Sequence, residues 1–118
     1  MTLLNEFKLD GKVQKDIKFF PEMINFNVSA ITGQYLTIDN KLQNRFTYIR
    51  AVYIGENAEE LKSILQPGRM VRLEGKLDSE QYNSKIGKKV YNKILRVFKI
   101  TPLRYDVSIG DYVEESEW

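Results

Sequence analysis

Val71, Leu73, Gly75 and Leu77 alternate with Met70, Arg72, Glu74, Lys76 and Asp78. That period of two belongs to a β-strand with one buried face. A long hairpin is expected to follow, with its tip at Ser84-Lys85-Ile86-Gly87 and a return arm from Lys88 to about Ile100, since glycine suits a turn position that needs positive φ. Just upstream, Asn57 reads as a helix N-cap with Glu60 three residues on, and Leu61, Ile64 and Leu65 follow before Pro67-Gly68 stops the run. The pattern predicts a capped helix of about two turns.

Earlier segments repeat the alternation. Phe7, Leu9, Gly11 and Val13 alternate with Lys8, Asp10 and Lys12, which predicts a first strand with a glycine where it bends sharply. Residues 15–22 break the pattern, and Ile24, Phe26, Val28 and Ala30 restore it as a second strand. Gly33, Asp39-Asn40 and Asn44 mark residues 32–44 as a loop or irregular hairpin, with room for a short strand at 35–38. A third strand resumes near Phe46: Tyr48, Arg50, Val52 and Ile54 share one face, and Thr47, Ile49, Ala51 and Tyr53 share the other, up to Gly55. Apolar residues on both faces suggest an outer surface covered by a ligand or a partner subunit.

Three strands, a short helix and two further strands joined by a long hairpin are the element order of the OB-fold, an all-β, five-stranded Greek-key barrel. An SH3-like barrel is the main competitor, and the helix between strands three and four favours the OB-fold. A chain of 118 residues, 42% of them hydrophobic, can bury one sizeable core. We assign residues 1–104 to that barrel and 105–118 to an acidic C-terminal tail.

The chain lacks both cysteine and histidine. Disulfides, thiolate metal sites and the commonest general base and metal ligand are thereby removed. The glutamate pairs 59–60 and 114–115 are adjacent in sequence, so their side chains diverge, and no phosphate-cradling glycine loop occurs. The expectation is a non-enzyme without metal or cofactor. No apolar run approaches membrane-spanning length and no signal-peptide pattern opens the chain, so a soluble cytoplasmic protein is expected. All 18 Lys and Arg fall within residues 1–104 against 11 acids, a balance of +7, and residues 105–118 carry −5. A basic body suits a polyanionic partner.

An OB-fold groove lies across strands two and three and their flanking loops. A single strand needs flat aromatic faces for its bases and cations for its phosphates. Tyr48 and Arg50, two apart on one strand face, can supply one of each. Lys85, Lys88 and Lys89 crowd the hairpin tip, where a basic loop could clamp a backbone. Tyr82 can equally be a cross-strand packing partner of Tyr91. The candidate nucleic-acid set is completed by Tyr35, Ile54, Arg72, Lys76 and Tyr91. Tyr53 reads as core or subunit contact.

The runs Phe-Thr-Tyr-Ile-Arg-Ala-Val-Tyr-Ile-Gly at 46–55, Leu61 to Leu65 and Pro-Gly-Arg-Met-Val-Arg-Leu-Glu-Gly-Lys-Leu at 67–77 resemble the bacterial and phage single-stranded DNA-binding protein family. The likeness continues through Tyr82 and Gly87 to Tyr91, and more weakly back to Asn5, so it covers about residues 5 to 103. It implies binding of single-stranded DNA without strong sequence preference, in replication, recombination or repair, by a tetramer or dimer with no catalysis. It also implies stacking aromatics at the positions of Tyr48 and Tyr82, with another near Tyr35. The chain departs from the family in having tyrosine for tryptophan at both matched positions, and in Asp78-Ser79-Glu80 where basic residues are frequent. Both departures point to weaker DNA binding. No long Gly/Pro/Gln-rich linker is present, and Glu114, Glu115, Glu117 and Trp118 resemble the family's partner-binding end, which docks replication or repair proteins. An OB-fold accessory module working through protein contacts, and an RNA-binding OB protein, are the alternatives. A tail so poor in apolar residues is expected to be disordered when free.

Overall fold

The computed structural model describes residues 3–115, and the side chain of Tyr82 lies outside the described part. The elements in order are β1 (Phe7–Val13), β2 (Lys18–Phe20), β3 (Met23–Leu36), β4 (Leu42–Ile54), a 3-10 segment (Glu60–Ser63), β5 (Met70–Asn83), β6 (Lys89–Asp106) and β7 (Asp111–Glu114). β1 pairs antiparallel with β5, from Phe7 opposite Gly75 to Lys12 opposite Met70, and its end crosses to β3 through Lys12–Ser29 and Val13–Val28. β3 and β4 form a long antiparallel ribbon, β4 runs parallel to β6 at Ala51–Leu95 through Tyr53–Val97, and β6 pairs antiparallel with β5. The ring β1-β5-β6-β4-β3 therefore closes on β1. With β2 and β7 as short additions, it is the five-stranded Greek-key barrel of the OB-fold that the alternation predicts.

Gly11, paired with Val71 of β5, stands one residue before β1 also meets β3. A Cβ there would lie 3.2 Å from both the Ser29 carbonyl oxygen and Val28 Cβ, so the expected bend is also a close approach of two backbones.

Inward-facing residues of every ring strand fill the barrel: Val13, Ile24, Phe26, Val28, Ala51, Tyr53, Val71, Leu73, Leu95 and Val97. Tyr53, only 9% exposed, belongs to this core. The segment after β4 closes one end of the core with Ala58, Leu61, Ile64 and Leu65. It is not the capped two-turn helix expected. Only Glu60–Ser63 is helical, as a 3-10 turn whose N-cap position, Glu59, makes no side-chain cap bond. Asn57 instead accepts the Glu60 N–H on its backbone carbonyl at 3.1 Å. Ala58, Leu61 and Ile64, three apart, face the core together with Leu65, whose N–H donates to the Leu61 carbonyl at 2.9 Å.

Of the two forms expected for residues 32–44, the structure has the irregular hairpin and not the loop. β3 continues to Leu36 and β4 starts at Leu42, joined by a tight turn in which Thr37 N–H donates to Lys41 O at 2.9 Å and Asn40 has φ 59°. A bulge between Ile31 and Gly33 leaves Thr32 as the extra residue, while Gly33 still pairs with Arg45. The ribbon is held by cross-strand polar pairs, Thr32–Thr47 at 2.9 Å and Gln34–Asn44 at 3.2 Å, and has no buried face that would show as alternation.

The acidic end also differs from expectation. The boundary placed at 104/105 falls inside β6, and β7 folds back on it with Leu103 opposite Glu114 and Tyr105 opposite Tyr112. The two tyrosine rings meet edge to face with centroids 5.3 Å apart. Glu115 N–H donates to the Pro102 carbonyl at 2.9 Å, Glu114 pairs with Arg72 at 3.1 Å, and Glu115 pairs with Arg69. Residues 105–115 are thus a folded hairpin, because the carboxylates find cations on the barrel itself. Glu117 and Trp118 lie outside the described residues.

Candidate nucleic-acid interface

In the β3–β4 ribbon, directly opposed residues point to the same side. Ile24–Tyr53, Phe26–Ala51 and Val28–Ile49 face the core, so Asn25–Val52, Asn27–Arg50, Ser29–Tyr48 and Ile31–Phe46 face outward. Tyr48 is 68% exposed there, with its ring available as a flat platform, and Phe46 is 52% exposed two residues away. Ser29 accepts a hydrogen bond from Gln14 Nε2 at 3.0 Å. Asn25 Oδ1 is buried without a partner, beside an open cleft lined by Lys18, Asn27 and Arg50.

The parallel pairing of β4 with β6 extends this face sideways by placing Arg96 next to Val52, and β5 follows with Lys76 opposite Arg96. Val52 and Ile94 are buried on this side by the chain itself, whereas Tyr48 and Ile54 are exposed, so the expectation that the whole outer surface needs an external cover holds for part of the strand at most. Arg50 Nη1 donates to Glu80 Oε1 at 2.7 Å, and Arg96 Nε donates to Asp78 Oδ2 at 2.8 Å. The Ser79 backbone N–H, followed by the Arg96 guanidinium, holds the Asp78 carboxyl below the usual carboxylate range.

The structure brings together Tyr48, Arg50, Ile54 and Lys76, and it separates others from them. The bulge after Ile31 sets Tyr35 opposite Gln43, on the face of Thr47 and Ile49 and away from Tyr48. Tyr91 is opposite Gln81, and Tyr82 is opposite Val90, so the two tyrosines are not direct cross-strand partners. Tyr91 alternates in phase with Leu95 and Val97, on the side that becomes the core further along β6. Lys85, Lys88 and Lys89 are exposed at the expected tip, where Gly87 N–H donates to Ser84 O at 3.0 Å.

Arg72 stands on the wall made by β1 and β5. Its Nε and Nη2 grip the two oxygens of Asp10 at 2.7 and 3.0 Å, and its Nη1 reaches Glu114 at 3.1 Å. Asp10 above all pushes the Arg72 pKa further up, so this cation is permanent but already shared by two carboxylates. Arg72 borders an open cleft of about 790 Å³ that also touches Lys8, Lys12, Phe46 and Tyr112.

Sequence reasoning missed Phe46 and Arg96. Phe46 could have been found, because it continues the Tyr48–Arg50 alternation. Arg96 reaches the face only through the parallel strand pairing, which no local pattern announces.

Among the described residues no group of three acidic side chains could hold a metal ion, and no helix is long and apolar enough to cross a membrane.

The model of the Single-strand binding protein family matches residues 4–103. No individual curated protein matches the sequence. The SSB of Plasmodium falciparum, solved in complex with ssDNA, superposes with a TM-score of 0.72 at 19% identity, covering 88% of this chain and 98% of that one. A deletion mutant of the single-stranded DNA binding protein from Thermus aquaticus gives a TM-score of 0.66 at 22% identity, over 93% of this chain and 54% of that one. The small single-stranded DNA-binding protein from Streptomyces coelicolor gives 0.66 at 14% identity, over 92% and 100%.

Proposed function

We propose, for a chain that belongs to the Single-strand binding protein family, that single-stranded DNA lies along the outer face of β3 and β4 and continues across β6 toward the basic tip of the β5–β6 hairpin. The observation that carries this reading is Tyr48, 68% exposed on the open face of a closed barrel and two residues from Arg50. Tyr48 and Phe46 offer stacking surfaces that any base can use, while Lys76 and the tip lysines meet phosphates. The unpartnered Asn25 Oδ1 is an acceptor that a base amino group or a water can satisfy.

The protein binds and shields the strand without catalysis or cofactor, in replication, recombination or repair in the cytoplasm, as a homodimer or homotetramer. Glu114 and Glu115 already hold Arg72 and Arg69. Contact with replication or repair proteins therefore falls mainly to Glu117 and Trp118.

The test is a titration of labelled oligo-dT, oligo-rU and duplex at two salt concentrations. Oligo-dT is expected to bind more tightly than duplex, with log K falling by about 0.7 per unit log salt for each phosphate neutralised. Equal affinity for duplex, or a flat salt response, would remove the groove, and preference for oligo-rU would make the ligand RNA.

A further inference from the structure

The outer face that carries Tyr48 holds two arginines, and each already has a carboxylate. Arg50 comes from β4 and Arg96 from β6, yet both acids come from one strand, since Asp78 and Glu80 are two apart on β5. That spacing sets them on the same side of the strand. Their backbones lie opposite Ile94 and Asn92 in the β5–β6 arm. The side chains are accessible to solvent and to a ligand: 41% and 28% exposed for Arg50 and Glu80, 31% and 37% for Arg96 and Asp78. Ion pairs this open add little to stability. Two of them side by side on the surface that must attract phosphates have a direct cost for binding, because a guanidinium fork fits a carboxylate and a phosphate equally well.

We propose that Asp78 and Glu80 are resident competitors for the DNA backbone: they occupy Arg50 and Arg96 in the free protein and set the affinity of the groove. When a strand enters, each arginine either stays with its carboxylate and contributes no phosphate contact, or turns to a phosphate and leaves an uncompensated carboxylate beside the polyanion. Either way the net gain in neutralised phosphate is lost. This deepens the groove reading and rests on it. The acids also keep both guanidinium groups oriented, so the face stays ordered while its affinity stays low enough for a strand to be released.

The test uses the full chain with oligo-dT. Glu80→Gln and Asp78→Asn keep side-chain size and remove the charge. Freeing one arginine for one phosphate adds about 0.7 to the salt slope, which, with equal affinities at 1 M salt, corresponds to about eightfold tighter binding at 0.05 M and about fourfold at 0.15 M. The double variant is expected to show about the product of the two gains. Arg50→Ala should abolish the gain from Glu80→Gln, because the partner that the substitution frees is then missing. Glu59→Gln, whose carboxylate pairs with Lys62 in the 3-10 region, changes the net charge equally and should leave affinity unchanged. Wild-type affinity and slope retained in both acid variants would overturn the proposal while leaving the groove in place. So would an equal gain from Glu59→Gln, or a Glu80→Gln gain that survives Arg50→Ala. If the wild-type chain fails to prefer oligo-dT over duplex at all, the groove reading fails instead, and this inference with it.

Discussion

Replacing Tyr48 with alanine is expected to weaken binding of oligo-dT by roughly 1–3 kcal/mol, the range of one lost base stack, or about 5- to 150-fold in Kd. The fold should survive, because the side chain is 68% exposed and belongs to neither the core nor its partly buried fringe. Its backbone pairing with Ser29 does not depend on the ring. Tyr48→Phe should recover most of the affinity, since the flat face is retained and only the hydroxyl is lost. Binding measured by fluorescence anisotropy beside urea unfolding separates the possibilities. Unchanged binding would make Tyr48 a bystander, and loss of cooperative unfolding would make it a packing residue.

Gly75→Ala should cost about 3 kcal/mol of unfolding free energy, the upper end of what an extra methyl costs in a filled space. At Gly75 the β5–β6 register slips by one residue, and a Cβ would stand 1.9 Å from the Arg96 carbonyl oxygen and 3.0 Å from the Phe7 ring. The first neighbour is backbone, so it cannot rotate away. Relief requires β5 and β6 to part where Gly75 also pairs with Phe7 of β1, which loosens three strands of the ring together. Against a total stability of roughly 5–15 kcal/mol for a domain, the loss should move the urea midpoint well below that of the wild type. An unchanged midpoint would mean that the strands do not meet in this register.

How much of this was legible in the sequence follows from what each residue faces. Val71 and Leu73, or Ile24, Phe26 and Val28, alternate because one side of their strands is wholly buried, and the barrel could be read from them. The ribbon beyond Ile31 has solvent on both sides, so Thr32, Gln34 and Asn44 look like loop residues although they pair across strands. Ala58, Leu61 and Ile64 carry a helical pattern, but a period of three and one of three to four cannot be told apart over so short a run. The site was half legible. Tyr48 and Arg50 share a face by simple alternation, whereas Tyr35 lost that face to a single bulge. Arg96 gained it through a parallel pairing of strands that begin more than forty residues apart in the chain. The acids at 78 and 80 stood out as a departure from the family, and their arginine partners became evident only once the barrel was closed. The C-terminal carboxylates read as a free tail for the same reason, since Arg69 and Arg72 are their neighbours in space alone.

A single strand bound on the outer face of β3, β4 and β6 perturbs the backbone of those strands first. The most direct measurement is amide chemical-shift mapping of the isotope-labelled chain during titration with oligo-dT. The largest changes are expected at residues 25–31, 46–52 and 94–96, with smaller ones at the tip lysines. Changes confined to Lys8, Lys12 and Arg72 on the β1–β5 wall, with Asn27, Tyr48, Arg50 and Arg96 unmoved, would contradict that placement of the strand.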